Sequence, residues 1–418
     1  MLILDYKLRV NKAQAAAIDE AIRTVQFIRN KCLRKWMDGH GIGDNALQVY
    51  CAQLAKEFPF AARLNSQARQ TSADRAWLSI ARFYKNCREK KPGKKGYPQF
   101  QHDNRSVEYK QTGWRLEPDG SHLTFTDGMG IGTLSMIGTN PRRKYARPIA
   151  TFPPSQIKRV RLVKRADGYY VQFAVKAERT LAHEPTGKQV GIDVGLKSFY
   201  TDSEGNTVAN PRYQRLAEKQ LKRLQRRKDR KKKGSQNRKK AIKRLAKGYL
   251  KVRRQRQDFA RKTARALIVS SDMIAYEDLQ IANLVKNHHL AKSISDASWG
   301  LFLGWVRYYG LIANVPVIAV SPRFTTQDCS GCGYRVQKSL SQRTHICPSC
   351  GLILDRDWNA ALTILLAGLA WLAAHPASAG HSRTAGQVET GSSQEGQNAS
   401  GQSASTHVFA RARRKRVG

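Results

Sequence analysis

The chain has 418 residues and a large excess of positive charge, with 74 Lys and Arg against 31 Asp and Glu and a net charge of +43. A chain of this length is expected to form two or more domains, and so strong a charge repels itself unless a polyanion neutralises it. Nucleic acid is therefore favoured as the partner over an anionic membrane surface. The first ten residues carry Asp5 and Lys7 inside an apolar stretch, which excludes a secretory signal peptide. We expect a cytoplasmic, nucleoid-associated protein.

The first 184 residues combine strands with an inserted helical block. Helical periodicity over about residues 12–95 begins after Asn11, which with the glutamine three residues later forms a capping-box pattern. Short alternating segments from Ser106 to Lys176 predict β-strands, with a hairpin turning at Asp167–Gly168. The pattern predicts a β-domain that is interrupted by helices.

Residues 185–374 read as strands and helices in alternation, which predicts an α/β domain. The segment QVGIDVGLKSFYTDSEGNTVA reads as two strands, and residues of about 211–265 predict a helical hairpin rich in Lys and Arg. The apolar run from Ala360 to Ala374 is shorter than the ~20 residues of a membrane span, so we interpret it as a buried helix. Residues 375–418 turn to Ser, Gly, Gln and Ala and predict a disordered tail with a basic end.

Four of the seven cysteines lie in two pairs with metal-ligand spacing. Cys329 and Cys332 form the first pair, and Cys347 and Cys350 form the second. Four thiolates at this spacing can close tetrahedrally around one zinc ion, which predicts a zinc ribbon over about residues 324–354. A closed four-thiolate site is structural rather than catalytic. The alternative is a reduced dithiol pair or a redox couple.

The first candidate catalytic acid is Asp193, in the apolar motif Val190–Gly195. Strand alternation places the valines and the isoleucine on one face and Asp193 with its two flanking glycines on the other. A carboxylate in an apolar strand is costly unless it binds a metal or hydrogen-bond donors, and the glycines leave room for an ion and a phosphate. The alternative is an acid on a solvent-exposed strand face.

Two further acids complete the set. Glu277 ends a second apolar strand, Met273–Tyr276, and Asp357 opens the last helix, whose alanines permit close docking on a sheet. Asp355 is either an alternative active acid or a helix cap. Three carboxylates from two strands and a helix are what a two-metal phosphodiesterase needs, with Mg²⁺ or Mn²⁺ as the ions.

The motifs GIDVG, YEDL, SDASWG, CSGCG, CPSCG and DRDWNAA occur in this order and resemble the TnpB (OrfB) family of transposon-encoded RNA-guided nucleases, which is related to type V CRISPR effectors. The resemblance extends from the first strand to about Leu366. It implies a RuvC-like nuclease of RNase H fold, with Asp193, Glu277 and Asp357 as the magnesium-binding catalytic triad and an inserted zinc ribbon. It also implies that residues 1–184 form a β-barrel wedge domain with a helical recognition insertion.

The resemblance further implies the partners of the protein. They are a guide RNA from the transposon end and target double-stranded DNA that is cleaved next to a short transposon-adjacent motif; a separate transposase of the same element is a further candidate partner, and no membrane is expected. Gln70, in the helical insertion, is expected to read that motif. The other nucleic-acid contacts are expected in the basic loop KKPGKKGYPQF and the basic hairpin, at Lys94, Lys95, Arg230, Lys231, Lys232 and Lys233.

Three other functions compete with an RNA-guided DNA endonuclease. A nuclease-inactive RNA-guided DNA-binding regulator would not need the intact carboxylates. A protein-guided transposition factor that joins strands would need a tyrosine nucleophile with a histidine pair, and the sequence has no such motif. A non-enzymatic RNA chaperone would leave the GIDVG strand unexplained. The sequence therefore predicts an RNA-guided, Mg²⁺-dependent DNA endonuclease.

Overall fold

The computed structural model describes residues 1–138, 149–339 and 341–375. The chain divides into two compact units, the first from Met1 to Glu178 and the second from Arg179 onward. Each unit combines helices with a β-sheet around its own buried apolar core, so the mixed α and β architecture is confirmed. Almost all of the predicted disordered tail, from residue 376 onward, lies outside the described residues.

The first unit consists of a helical block between the first strand and six later strands. The capping box is confirmed, since the Asn11 side chain accepts a hydrogen bond from the Gln14 amide at 2.8 Å and the Gln14 side chain accepts one from the Asn11 amide at 3.1 Å. The elements of this unit are β1 (Leu2–Arg9), α1 (Lys12–Asp38), α2 (Asp44–Glu57), α3 (Pro59–Ala62), α4 (Ser66–Arg88), β2 (Ser106–Tyr109), β3 (Trp114–Leu116), β4 (His122–Phe125), β5 (Gly132–Ile137), β6 (Ile157–Arg165) and β7 (Gly168–Val175).

All seven strands of this unit form one antiparallel sheet in the order β2-β6-β7-β1-β5-β4-β3. The predicted hairpin is confirmed, with Arg165 opposite Gly168. The predicted β-barrel is not confirmed. In the described ranges no pairing joins the two edge strands, β2 and β3, so the sheet is open. Helices α1 and α4 pack beside β2, and Arg75 of α4 donates to the Ser106 carbonyl at 3.3 Å, so helices cover that edge.

A buried carboxylate lies among arginines at this edge. Glu108 of β2 is only 2% exposed and pairs with Arg75 at 3.3 Å, with Arg159 at 2.9 Å, and with Arg161. Burial alone would raise the pKa of Glu108, but the three guanidiniums outweigh it and lower the pKa to about 2. The cluster joins α4 to two strands of the sheet.

The second unit contains a mixed sheet, a long helical hairpin and a small cysteine-bearing segment. Its first strands correct the sequence reading, because the segment interpreted as two strands forms three: Gly205, with φ +86°, closes an additional turn. The elements of this unit are β8 (Gln189–Val194), β9 (Ser198–Asp202), β10 (Thr207–Ala209), α5 (Tyr213–Asp229), α6 (Gln236–Val269), β11 (Met273–Glu277), α7 (Ile281–Leu284), α8 (Ala291–Ala297), α9 (Trp299–Ala313), β12 (Val317–Val320), β13 (Thr344–Ile346), β14 (Ile353–Asp355) and α10 (Arg356–Ala374).

The main sheet of the second unit has the order β10-β9-β8-β11-β12. Strands β8, β11 and β12 run parallel, whereas β9 and β10 are antiparallel to their neighbours. Side chains alternate between the two faces, so Val190 and Ile192 pack in the core formed with α6 and α9. Met273 and Ala275 of β11 pack on the other face, against α10. Helices therefore cover both faces of the sheet.

Helix α10 corrects the expectation of a buried helix. Ala360, Ala361, Ile364 and Gly368 are buried, whereas Leu366 on another side is 51% exposed. Among the described helices, α10 alone is long and apolar enough to cross a membrane by length and composition, a test that core helices of soluble proteins also pass. Only one side packs because the sheet covers one face of the helix.

Candidate functional site

Two of the predicted acids lie at the same level on neighbouring strands. Ile192 of β8 pairs with Tyr276 of β11 in parallel register, so the next residues, Asp193 and Glu277, stand side by side on strands ~4.8 Å apart. Alternation directs both side chains away from the α6–α9 core, toward the face on which α10 packs. Asp193 is 9% exposed and Glu277 8% exposed. The predicted face pattern around Asp193 is confirmed.

The third acid reaches this face through the close docking of α10. Gly191 permits the approach, since a methyl group there would lie 2.2 Å from the carbonyl oxygen of Ala361. One turn before Ala361, the helix brings Asp357 toward the level of Asp193, two residues after Gly191 on the strand. The negative charge of Asp357 contributes to raising the pKa of Asp193, so the two carboxylates interact.

Asp355, the alternative third acid, caps the helix. Its carboxylate accepts hydrogen bonds from the backbone amides of Asp357 at 2.8 Å and Trp358 at 3.4 Å. These are orphan amides of the first turn, which an N-cap side chain satisfies. Asp355 also ends β14, so the strand continues directly into the helix. Of the two readings that the sequence left open for Asp355, the structure shows the helix cap.

The acids sit in an environment that disfavours their ionised forms. Burial and the charges of Glu277 and Asp357 raise the pKa of Asp193 well above its usual value, and burial raises the pKa of Glu277. Two neighbours partly compensate. The Thr325 hydroxyl donates to Glu277, and Arg356 pairs with Asp357 at 2.9 Å. Because so few hydrogen-bond donors and cations surround the three carboxylates, additional positive charge would stabilise their ionised forms.

The four paired cysteines form a cluster. Their four sulfur atoms all lie within 4.8 Å of one another. The sulfur atoms of Cys329 and Cys350 are 3.6 Å apart, and so are those of Cys332 and Cys347. A disulfide would need about 2.05 Å, whereas sulfurs bound tetrahedrally to zinc at ~2.3 Å lie ~3.8 Å apart. The distances suit one zinc ion and do not suit disulfides.

The backbone around the two pairs has the same shape in both. The Gly333 amide donates to the Cys329 carbonyl at 2.8 Å, and the Gly351 amide donates to the Cys347 carbonyl at 3.0 Å. Both glycines adopt left-handed φ, +75° and +74°. The repeated turn gathers four thiols from two separated segments without a large core. The cluster therefore has the chemistry and geometry of a four-cysteine zinc site.

The predicted nucleic-acid contacts lie in three places. Gln70 is exposed on α4, and Lys94 is exposed in the loop after it, while Lys95 is half-buried and its carbonyl accepts from Asn86 at 3.0 Å. The others are exposed in the connection between α5 and α6, which matches the predicted break in the basic hairpin; they are Arg230, Lys231, Lys232 and Lys233. Apart from Lys95, these side chains are exposed and can meet solvent or a polyanion.

Sequence reasoning missed two residues that touch the acids. Thr325 follows β12 in the chain and reaches Glu277 across 48 residues of sequence, and Arg356 lies beside Asp357. Nothing in the composition distinguishes Thr325 from other threonines in loops. Arg356 was visible as the central residue of DRD, but its side chain could equally have pointed to solvent.

Two family models match the second unit, the first of them beginning at the end of the first unit. The OrfB_IS605 model, described as "Probable transposase", matches residues 172–288, and the Cas12f1-like TNB domain model matches residues 299–364. Asp193 and Glu277 lie within the first match, and Asp357 with the four cysteines lies within the second. The matches thus cover the acids and the cysteine cluster.

Relatives match over most of the chain. A Streptomyces pristinaespiralis protein provisionally named an RNA-guided DNA endonuclease is 28% identical over 87% of this chain and 89% of its own. An Escherichia coli K12 protein with the same provisional name, InsQ, is 25% identical over 88% of this chain and 92% of its own. The fold is similar to the protein in a cryo-EM structure of a Cas12f1–sgRNA–target DNA complex, with a TM-score of 0.50 and 14% identity over 84% of this chain and 82% of that one. In these matches the chain is similar to the OrfB (TnpB) family of IS605-type transposon proteins.

Proposed function

We propose that the protein is an RNA-guided, Mg²⁺-dependent DNA endonuclease with a RuvC-like active site formed by Asp193, Glu277 and Asp357. One observation carries the proposal: acids from two parallel strands and one docked helix converge on a single face of the sheet. The provisional names of the two relatives point to the same activity.

The residues present fit divalent metal ions. Carboxylate oxygens are the ligands that Mg²⁺ and Mn²⁺ prefer, and burial together with mutual repulsion already raises the pKa of Asp193. A cation between the acids would remove that repulsion. Two such ions, when bound, supply the charge that activates water and stabilises the leaving oxygen of a phosphodiester.

The protein's own side chains would position the ligands. The Thr325 hydroxyl, by donating to one Glu277 oxygen, fixes the rotamer of that carboxylate and leaves its second oxygen available. Asp355 secures the first turn of α10, on which Asp357 is carried. Gly191 sets the distance of that helix from the sheet. Small displacements of any of these supports would misplace a ligand, since catalysis is sensitive to errors of about 1 Å.

The cysteine cluster would hold one structural Zn²⁺. A four-thiolate site leaves no open coordination position for substrate, so its role is to stabilise the fold around it. Asn359 of α10 donates to the Asp328 carbonyl at 2.8 Å and accepts from the Ser330 amide at 3.0 Å. These bonds fasten the first cysteine turn to the helix that carries Asp357. We propose that zinc maintains the position of that helix.

Guide RNA from the transposon end and target double-stranded DNA are the proposed partners. The charge of +43 suits backbone contacts, and base pairing with a guide would supply sequence specificity. We propose residues 1–184 as a wedge domain with a recognition insertion over about 12–95, in which Gln70 reads the DNA motif next to the target. Residues 185–374 would be the nuclease domain, in which the exposed connection between α5 and α6 would contact phosphate groups of the nucleic acid.

The test is to purify the protein from cells that also carry its flanking genomic DNA, sequence the bound RNA, and incubate the complex with a matching plasmid and Mg²⁺. We expect one transposon-end RNA and guide-dependent cutting that Asp193→Ala abolishes while RNA binding persists. Thr207→Ala, an exposed residue of β10 on the same sheet but outside the three acids, is the control. Bound RNA without cutting would instead support a regulator, and cutting by the Asp193 variant would reject the triad.

A further inference from the structure

One side of α1 forms a groove with the segment that precedes β2. The groove has a volume of about 520 Å³, within the range of pockets that bind small ligands. Its helix side presents residues three, four and seven positions apart, which share one face of a helix. The residues that line it are Arg23, Gln26, Phe27, Asn30, Lys31, Arg34 and Phe100. The lining thus contains three cations and two aromatic rings, and no carboxylate.

The second wall of the groove is fixed in place. Asn30 donates to the Gln101 carbonyl and accepts from the Gln101 amide, both at 2.9 Å, and Gln26 accepts from the Asn104 amide at 2.9 Å. Because these bonds hold the backbone at residues 101 and 104, just after Phe100, that ring is presented against α1 rather than left on a free loop. A preformed wall lowers the entropic cost of binding.

The aromatic rings of the groove are accompanied by cations. The Arg34 guanidinium lies 4.9 Å from the centre of the Phe100 ring, and the Lys31 ammonium lies 5.7 Å from that of Phe27. Phe27 is held edge-on by Phe58, with ring centres 4.9 Å apart. Aromatic faces beside cations are the features that bind unpaired nucleotides, with the rings stacking on bases and the cations meeting phosphates.

We infer that this groove binds an unpaired nucleotide segment, with a base stacked on Phe100 and the flanking phosphates near Arg23 and Lys31. A duplex keeps its bases stacked on one another, so it offers no base to Phe100. An acidic peptide would satisfy the cations but would leave the rings unused. The groove belongs to the first unit and the three acids to the second, and its occupation does not depend on cleavage.

Photocrosslinking tests the inference on the full chain without Mg²⁺. The probes are a 5-iodouridine-containing oligouridine and the matching oligodeoxyuridine, each unstructured and about ten nucleotides long, and crosslinked peptides are located by mass spectrometry. We expect an adduct on the peptide that contains Phe100. Crosslinking by the RNA alone would assign the groove to the guide, and crosslinking by the DNA alone would assign it to a displaced target strand. Adducts confined to the α5–α6 connection would overturn the inference.

Matched substitutions distinguish base stacking in the groove from a general attraction between the nucleic acid and the positive charge of the protein. Phe100→Leu keeps apolar volume but removes the ring, and it should weaken binding of the oligonucleotide by roughly 5- to 100-fold, whereas Phe100→Trp should not. Tyr334→Leu, which removes an exposed ring outside the lining, is the control. Equal losses for Tyr334→Leu and Phe100→Leu, or none for Phe100→Leu, would refute stacking at this groove.

The salt dependence of binding tests the phosphate contacts. Removing one phosphate contact to a single strand lowers the slope of log affinity against log salt concentration by about 0.7. Arg23→Ala should lower the slope by that amount, and Arg115→Ala, which removes an exposed cation from β3, should leave it unchanged. An equal effect of both variants would mean that Arg23 contributes only to net charge.

Discussion

Replacing Gly191 with Ala should separate α10 from the sheet. The added methyl would lie 2.2 Å from the carbonyl oxygen of Ala361, 2.6 Å from the Leu365 amide nitrogen and 2.9 Å from the Leu365 Cβ. Two of these are backbone atoms that no rotamer change can move, so the helix must shift by ~1 Å to reach ordinary contact distances near 3.5 Å. Overpacking of this kind costs about 1–3 kcal/mol and occasionally more, and we expect the upper end of that range.

Calorimetry of the full chain measures the effect. For a unit of about 200 residues, each kcal/mol shifts Tm by roughly 2–4 °C, so a cost near 3 kcal/mol should lower the transition of the second unit by about 6–12 °C. Cleavage should fall as well, because Asp357 moves with the helix. Gly304→Ala in α9 is the control, since nothing lies within 4 Å of the added methyl, and it should stabilise slightly. A Gly191→Ala protein that melts like the wild type would refute the close docking.

Three further predictions concern a cap, a buried acid and the cysteines. Asp355→Ala should lower the free energy of unfolding by about 1 kcal/mol, measured by thermal melting, and should retain plasmid cleavage, because Asp355 caps the helix. Asp357→Asn should abolish plasmid cleavage. Equal cleavage defects in the two variants would contradict their separate roles. Glu108 has a folded pKa of about 2, below its ordinary value of 4.5, so its stabilising effect is complete above pH 4.5 and lost toward pH 2. Acid titration followed by circular dichroism should show that loss, on the order of 3 kcal/mol, in the wild type but not in Glu108→Gln. Cys347→Ser should lower bound zinc, measured by mass spectrometry of metals, from about one ion per chain, and an unchanged ratio would rule out the ribbon as its site.

The sequence predicted best those features that depend on local pattern. The capping box at Asn11, the alternation around Asp193 and the break between α5 and α6 each follow from residues a few positions apart. The spacing of the cysteines likewise predicted the cluster, because zinc geometry constrains ligands directly. Sequence patterns were sufficient where the residues of a single helix, strand or turn determine the local structure.

Features that depend on distant contacts were beyond sequence reasoning. Thr325 reaches Glu277 from 48 residues away, and no periodicity marks such a pair. The first sheet is open, with helices beside β2, and α10 packs on the second sheet along one side only. The resemblance already implied Asp357 rather than Asp355 as the third acid, whereas the hydrogen bonds of the first helical turn were needed to show that Asp355 caps the helix. Contacts between distant parts of the chain decided the other features.

The direct passage from β14 into α10 sets a limit on how this chain can vary in length. Asp355 is at once the last residue of the strand and the cap of the helix, and Asp357 follows within the first turn. One inserted residue inside that turn would rotate every later side chain by about 100° around the helix axis. Ala361 and Ile364 would then leave the sheet. Libraries of insertions, or of tags placed within the chain, should therefore find the stretch from Asp355 to Asp357 intolerant of any change in length.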